Sequence, residues 1–371
     1  MLKFNSRGKF GFLLFGDIHE HDDWETSLAF TDMHRLMEAS LDTFRPDICI
    51  LLGDNLSTDI LAKDGERFRR ALSDLIAPMR RRGIPVYSIM GNHEHDPGID
   101  DEVLRAYADV PGITMLSSRG DSKADYYEIV YSQDGERALA VLWFLDSNNL
   151  YPDSAVSKYD CVHPDQIEWF EKEQEKIKEK FGSYLPSYIF QHTPVPEEYK
   201  LLRKAKIWEY PFSAKGFNTH SGTRYVAAPG TEGYVGEGPC SPDVNSGQFE
   251  SWKKTGSVKA AFFGHDHLND FSGTVDGIFL AQHKTAGFRA YTDGCKSCVR
   301  YVELDENTPG EFTQTLRHFK DFGLRSLSLG PVLRTINDRQ SMALHALAKS
   351  GAAAAAVTAA AIIIKRIRDK R

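Results

Sequence analysis

Short runs of near-continuous hydrophobic residues punctuate the chain at 10–15, 47–52, 85–90, 138–145, 187–191 and 259–263, each bounded by Gly, Pro, Asn or Asp. Unbroken rather than alternating hydrophobicity suits strands covered on both faces. Stretches with helical spacing lie between them. Residues 26–44 place Leu28, Met33, Leu36, Met37 and Leu41 on one face, and 65–82 do the same with Phe68, Leu72, Leu75 and Ile76. Residues 164–181 open on Pro164-Asp165, as a helix start does. The alternation predicts an α/β layered core. Residues 197–252, rich in Gly, Pro, Ser and aromatics, break the rhythm and read as an irregular insertion. The predicted division is a main domain over 1–305, a linker over 306–340 and an Ala-rich, basic-ended C-terminal helix over 341–371.

Composition narrows the class. With 41% hydrophobic and 26% charged residues, the 371-residue chain has the balance of a soluble globular protein rather than a disordered one. Its net charge of −7 argues against a general nucleic-acid binder. Arg80, Arg81 and Arg82 read as the close of a helix, where positive charge suits the dipole. Five cysteines, an odd number widely spread, form no disulfide framework, and Cys295 with Cys298 lacks the further ligands a zinc site needs. The apolar run near the N-terminus is too short for a secretory signal, so a reducing, cytoplasmic setting is expected. Residues 351–364 fall short of the ~20 needed to span a bilayer. With the basic stretch 365–371 behind them, they predict a helix that packs on the domain or a partner, or lies on an anionic membrane surface.

Five of the apolar runs end in polar residues that carry chemistry. These are Asp17 and His19, then Asp54, then Asn92, His93 and Glu94, then His192, and finally His265 and His267. In open α/β sheets the ligand crevice lies beyond the carboxyl ends of the strands, so the five clusters point to one crevice. Gly16, Gly53, Gly91 and Gly264 stand at four of the turns, where a missing Cβ permits a sharp bend. Each cluster alone is an ordinary turn; five together are hard to obtain from structural need. Carboxylate, imidazole and carboxamide ligands without a thiolate suit Mn, Fe or Zn. A carboxylate bridging two ions about 3.5–4 Å apart serves phosphoryl hydrolysis, and a nearby non-ligand histidine can protonate the leaving oxygen. Asp146, at another strand end, and His283 are more economically read as structural.

The ordered series Gly-Asp-Ile-His, Gly-Asp-Asn, Gly-Asn-His-Glu, Gln-His and Gly-His-Asp-His resembles the calcineurin-like metallophosphoesterase superfamily over about 9–303. The resemblance implies a four-layer α/β/β/α sandwich. It implies that Asp17, His19 and His267 hold one metal, that Asp54 bridges, and that Asn92, His192 and His265 complete the second site. His93 would act beside the metals as general acid, with Glu94 polarising it. The run GHDHLNDFSG, the stretch SPDVNSGQF and the pair Gln166 and Trp169 resemble a purple-acid-phosphatase-related branch. The true purple enzymes carry a tyrosine three residues after the bridging aspartate. Here that position is Ser57, and His19 supplies the ligand instead. The implied activity is hydrolysis of a phosphomonoester by in-line attack of a metal-bound hydroxide, with two divalent or mixed-valence ions (Mn, Fe or Zn) as cofactors. The alternatives are a phosphodiesterase and a non-catalytic protein-interaction scaffold on the same fold. The expected partner is a phosphorylated substrate, with no nucleic acid, and with peripheral membrane or protein contact through the C-terminal tail.

Overall fold

Strand β7 (Ala138–Phe144) turns Ala140, Leu142 and Phe144 into one core and Val141 and Trp143 into another. Strand β8 (Ser187–Gln191) divides Tyr188 and Phe190 from Ile189 in the same way, and β12 (Val258–Phe263) divides Ala260 and Phe262 from Ala261 and Phe263. Both faces are covered, which is why these runs carry no polar alternation. Each Leu, Phe or Val so buried contributes roughly 1.5–3 kcal/mol. The computed structural model describes residues 1–121, 123–330, 334 and 346–351.

Two sheets face each other. One has the order β1 (Leu2–Lys3), β6 (Tyr126–Tyr131), β7, β8, β12, β14 (Ile278–Gln282) and β13 (Ser272–Val275). The other has the order β16 (Thr308–His318), β15 (Cys298–Asp305), β2 (Lys9–Phe15), β3 (Ile48–Leu51), β4 (Val86–Ser88) and β5 (Ile113–Thr114). The strands β2 to β5 run parallel, as do β7, β8, β12 and β14. Between the sheets the Phe12 ring meets Phe190 edge-on at 5.4 Å and Phe262 at 5.9 Å. Outside the six-stranded sheet pack α1 (Leu28–Phe44), α3 (Gly65–Leu75) and α6 (Asp100–Ala108), through Met33, Leu36, Phe68, Leu72 and Tyr107. The shorter α2 (Asp59–Lys63), α4 (Ala77–Arg81) and α5 (Asn92–His95) lie near them in the chain. Outside the seven-stranded sheet pack α7 (Pro164–Phe181) and α8 (Gln248–Thr255), through Phe170, Ile177, Phe249 and Trp252. The result is a four-layer α/β/β/α sandwich.

Three sequence expectations change. The helix predicted over 65–82 breaks at Ile76, because Pro78 in the first turn of α4 has no amide to continue the ladder. Arg81 and Arg82 then form ion pairs with Glu38, beyond closing the helix. The insertion at 197–252 is less irregular than expected: β9 (Leu202–Lys204), β10 (Ala214–Lys215) and β11 (Arg224–Ala227) form a small antiparallel sheet, and its end is α8.

The predicted linker over 306–340 is wrong for most of its described part. Residues 308–318 form the edge strand β16, none of whose residues is fully buried, so it carries no hydrophobic run to announce it. Ser326, Leu327 and Ser328 then hydrogen-bond the buried Asp32 carboxylate on α1 at 2.6–3.0 Å. Of the C-terminal helix expected over 341–371, residues 346–351 are helical and exposed, and the remainder lies outside the described residues. Among the described residues no helix is long and apolar enough to cross a membrane.

Candidate metal centre

The turns that follow the strands are conformationally costly. Asp17, His19, Asp54 and His265 all have positive φ, at 53°, 51°, 52° and 73°. The left-handed conformation costs an L-residue roughly 1–2 kcal/mol, and such strain is retained where function needs the geometry. Gly53 has φ 86°, and a Cβ there would lie 2.5 Å from the Gly91 amide nitrogen, so glycine is required. Gly16 is different: a Cβ would meet nothing closer than 3.5 Å, and no steric demand fixes that glycine.

The structure brings all eight sequence-predicted residues together. Atoms of Asp17, His19 and His267 lie within 4.8 Å of one another, as do atoms of Asp54, His192 and His265. Asp54 Oδ2 stands between the groups, 3.5 Å from His19 Nε2 and 3.2 Å from His192 Nε2. Asn92 Oδ1 lies 3.2 Å from His192 Nε2, and His265 Nδ1 lies 3.3 Å from the same nitrogen. The backbone amide of His265 donates to both oxygens of Asp17, at 2.9 and 3.1 Å, tying the first strand end to the last.

Backbone carbonyls settle two tautomers. His192 Nδ1 faces Leu52 O at 2.7 Å and His267 Nδ1 faces Tyr291 O at 3.0 Å. A carbonyl only accepts, so each Nδ1 carries the proton and each Nε2 lone pair points inward. There His267 Nε2 meets His19 Nε2 at 3.0 Å, and His192 Nε2 meets the Asp54 carboxylate. Nitrogens and carboxylates that converge in this way are arranged as ligands for cations held between them.

The electrostatics agree. Burial lowers His19 to about 4 and His267 to about 3, and it also depresses His265, so these rings are neutral at pH 7, the form in which an imidazole can bind a metal. Burial raises Asp17, whereas Asp54 is held low despite burial by His192 and His19. Burial also opposes a proton on His192, yet Asp54 and Asp17 raise it to about 10. A cation bound here would displace that proton. The donor set therefore fits two divalent metal ions.

His93 is oriented by other residues than the sequence suggested. Its Nδ1 pairs with Asp96, three residues on, and its carbonyl accepts from Thr58 Oγ1 at 2.9 Å. Burial disfavours the imidazolium, but Asp54 and Asp96 outweigh it and raise the pKa above the ordinary histidine value. Glu94 makes no hydrogen bond to His93, although its charge is among those that raise the His93 pKa. It is fully buried and accepts the amides of Asp54, Asn55 and Gly91 at 2.8–2.9 Å, because α5 turns it inward. It braces the Asp54 turn instead.

The family model of calcineurin-like phosphoesterases matches residues 10–269. The chain belongs to that family. The probable inactive purple acid phosphatase 14 of Arabidopsis thaliana is 27% identical over 81% of this chain and 77% of its own length. The tartrate-resistant acid phosphatase type 5 of Rattus norvegicus is 25% identical over 42% of this chain and 50% of its own. Among solved structures, a dimetal phosphatase from Danio rerio aligns over 84% of this chain and 99% of its own, with 14% identity and a TM-score of 0.48.

Around the centre of this family member stand residues with no signal in the sequence to single them out. The Tyr291 ring stacks on His267 at 4.1 Å and its hydroxyl reaches Glu237. Tyr159 meets His265 edge-on at 4.2 Å, and Phe217 from the insertion stacks on Tyr159 at 5.7 Å. Cys240 lies within reach of His265 and Asp266, its thiol kept protonated by burial and by the nearby Asp266 charge. A polar cavity of about 210 Å³ opens beside the centre, lined by His19, His21, Ser57, Thr58, His93 and Asp96. Of the lining residues not already singled out along the chain, Asp96 carried a signal, its i,i+3 spacing from His93.

Asp146 and His283 are structural. Asp146 is buried and holds His95 Nε2 and the Ala124 and Asn148 amides at 2.9–3.1 Å. The buried His283 bonds Leu14 O at 3.0 Å, away from the crevice.

Proposed function

We propose that this chain is a metal-dependent phosphatase hydrolysing a phosphomonoester at the centre formed by the five strand ends. The observation that carries this reading is the division of labour among the histidines. His192 and His267 have their protons fixed outward by carbonyls, so their lone pairs converge on Asp54 and Asp17. His93 stands beside both groups with Asp96 sustaining its proton.

Asp17, His19 and His267 would hold one ion, and Asn92, His192 and His265 the other, with Asp54 common to both. When bound, the ions supply the positive charge that offsets phosphoryl charge and eases deprotonation of water. The residues of the chain do the rest. The Asn92 carboxamide turns its oxygen toward His192, which leaves its NH2 to donate to a phosphoryl oxygen. His93 gives its proton to the leaving oxygen, and Thr58 and Asp54 fix the backbone that carries it. The neighbouring cavity is small, and beside the carboxylates of Asp59 and Asp96 it offers His19, His21, Ser57 and Thr58 as hydrogen-bonding groups; its size suits the compact end of a monoester rather than a two-sided diester.

One observation favours a second reading, a non-catalytic scaffold: three Arabidopsis relatives matched over about four fifths of the chain are each named probable inactive purple acid phosphatases. Against it stands the complete set of seven candidate ligands together with His93. The deciding experiment is a chelated protein restored with Mn, Fe or Zn and assayed on a panel of monoesters and diesters. Monoester turnover that returns with metal supports the phosphatase, preference for diesters reassigns the ester class, and no turnover with any metal supports the scaffold.

A further inference from the structure

The insertion projects a short 3-10 turn, Ile207–Phe212, in which no residue is buried. Ile207 is 78% exposed, Trp208 69% and Tyr210 47%, three large apolar side chains within four positions. Such a cluster is not what a water-facing turn selects for. Nor is it a loose loop. Glu209 accepts both guanidinium nitrogens of Arg203, at 2.8 and 2.6 Å, and the Lys206 amide at 2.7 Å, and Pro211 stiffens the turn from within. The apolar side chains are therefore held outward by a built framework.

The charge around them is as uneven. Between 200 and 224 the chain has six Lys and Arg residues and one acid, in a molecule whose net charge is −7. The one acid, Glu209, is occupied by Arg203. The strand register sets Lys215 opposite Arg224 on one face of the small sheet and Lys204 opposite Tyr225 on the other, so basic side chains flank the strands that lead into and out of the turn. Lys204, Lys206 and Lys215 are exposed, and among the described residues none of the three has an ion-pair partner. The Lys206 ammonium lies 5.3 Å from the Trp208 ring.

From this juxtaposition we infer that the 207–210 turn is a docking site for an anionic lipid bilayer, with Ile207, Trp208 and Tyr210 entering the headgroup region and Lys204, Lys206 and Lys215 meeting the acidic headgroups. Trp and Tyr favour the membrane interface because one end is apolar and the other polar, and clustered lysines add electrostatic attraction. A soluble polyanion would match the lysines but leave Ile207 without a partner. The same insertion carries Phe217, whose ring packs on Tyr159 against His265, so the docking turn and the metal centre share one scaffold. The inference does not depend on whether that centre is catalytic.

The test uses the full chain with vesicles of phosphatidylcholine, with and without phosphatidylserine, read by co-sedimentation and by quenching of tryptophan fluorescence with acyl-brominated lipid. Trp208→Phe supplies the blank, because Trp24, Trp143 and Trp252 are buried and the fifth tryptophan, the half-buried Trp169, packs against Tyr127 and Trp143 and leaves its signal unchanged in the variant. The expected result is salt-sensitive binding to the anionic vesicles with quenching that disappears in Trp208→Phe. The double variants Ile207→Ser with Trp208→Ser and Lys204→Glu with Lys206→Glu should each weaken binding roughly 10-fold or more, with unchanged circular dichroism. Three results would overturn the inference. One is sedimentation without Trp208 quenching, which would place the contact elsewhere in the chain. Another is binding indifferent to both double variants. The third is equal affinity for soluble polyglutamate, which would point to an acidic protein partner.

Discussion

The backbone amide of His93 donates to Asp54 Oδ1 at 2.9 Å, so the residue proposed to protonate the leaving group is positioned by the carboxylate proposed to join the two ions. Replacing each residue separates their roles. Asp54→Ala should lose metal and activity together, with the rate falling by roughly 10³-fold or more, since it removes several kcal/mol of charge stabilisation. His93→Ala should keep its metal and lose roughly 10²–10⁴-fold in rate, the span of general acid catalysis. Metal analysis beside kcat checks both. Normal turnover by His93→Ala would remove it from the mechanism.

Asp96 is one of the groups that raise the His93 pKa. Asp96→Asn should therefore lower that pKa. A general acid works only while protonated, so activity is lost as pH rises through its pKa, and the alkaline limb of the kcat profile should move to lower pH. A profile displaced the other way, or a change in metal content, would contradict this assignment.

Glu94 is buried with three backbone amides donating to it. Glu94→Gln keeps the shape but turns an NH2 toward those donors, which costs about 1–3 kcal/mol. Urea denaturation of the chelated protein should show that loss, and metal affinity should fall with it because Asp54 sits on the braced turn. An unchanged midpoint would mean that the brace contributes nothing.

The buried pair of His95 and Asp146 predicts a pH-dependent stability. Burial alone would lower the His95 pKa, yet Asp146 and Asp100 raise it to about 10. Burial would raise Asp146, yet His95 holds it at about 2. The His95 contribution is complete below its unfolded pKa of about 6.5 and is lost as pH rises through the folded value. The Asp146 contribution is complete above about 3.9 and is lost as pH falls through its folded value. Between pH 7 and 10 the wild-type urea midpoint should decline more steeply than that of His95→Ala, which should itself be less stable by ~3–5 kcal/mol near neutrality.

Ser57 occupies the position where the purple enzymes carry their tyrosine, and it lines the cavity beside His19 and His93. The nearby phenols are otherwise engaged: Tyr291 reaches Glu237 with its hydroxyl, and Tyr159 presents its ring to His265. Iron-loaded protein should show no intense visible absorption band of the tyrosinate kind. Such a band would mean that one of these tyrosines reaches the metal.

Most of the site can be read along the chain, because its residues follow strands buried on both faces. Such strands are continuous apolar runs, and the first polar residue after each run marks where the sheet ends. Strand β16 shows the converse: an edge strand need not be apolar, so its sequence resembles a linker. Glu94 acts on His93 through its charge rather than a hydrogen bond, because neighbours in sequence need not share a direction: α5 sends His93 outward and Glu94 into the core.

The sequence by itself determined the layered α/β core and the eight residues gathered at its strand ends, since periodicity and residue chemistry are local properties. Only the tertiary structure decided which carbonyl fixes each histidine tautomer, that Asp96 rather than Glu94 partners His93, and that Tyr159, Phe217 and Tyr291 wall the centre. Those contacts join segments far apart in the chain, or depend on which way a single turn faces, and neither is encoded in spacing alone.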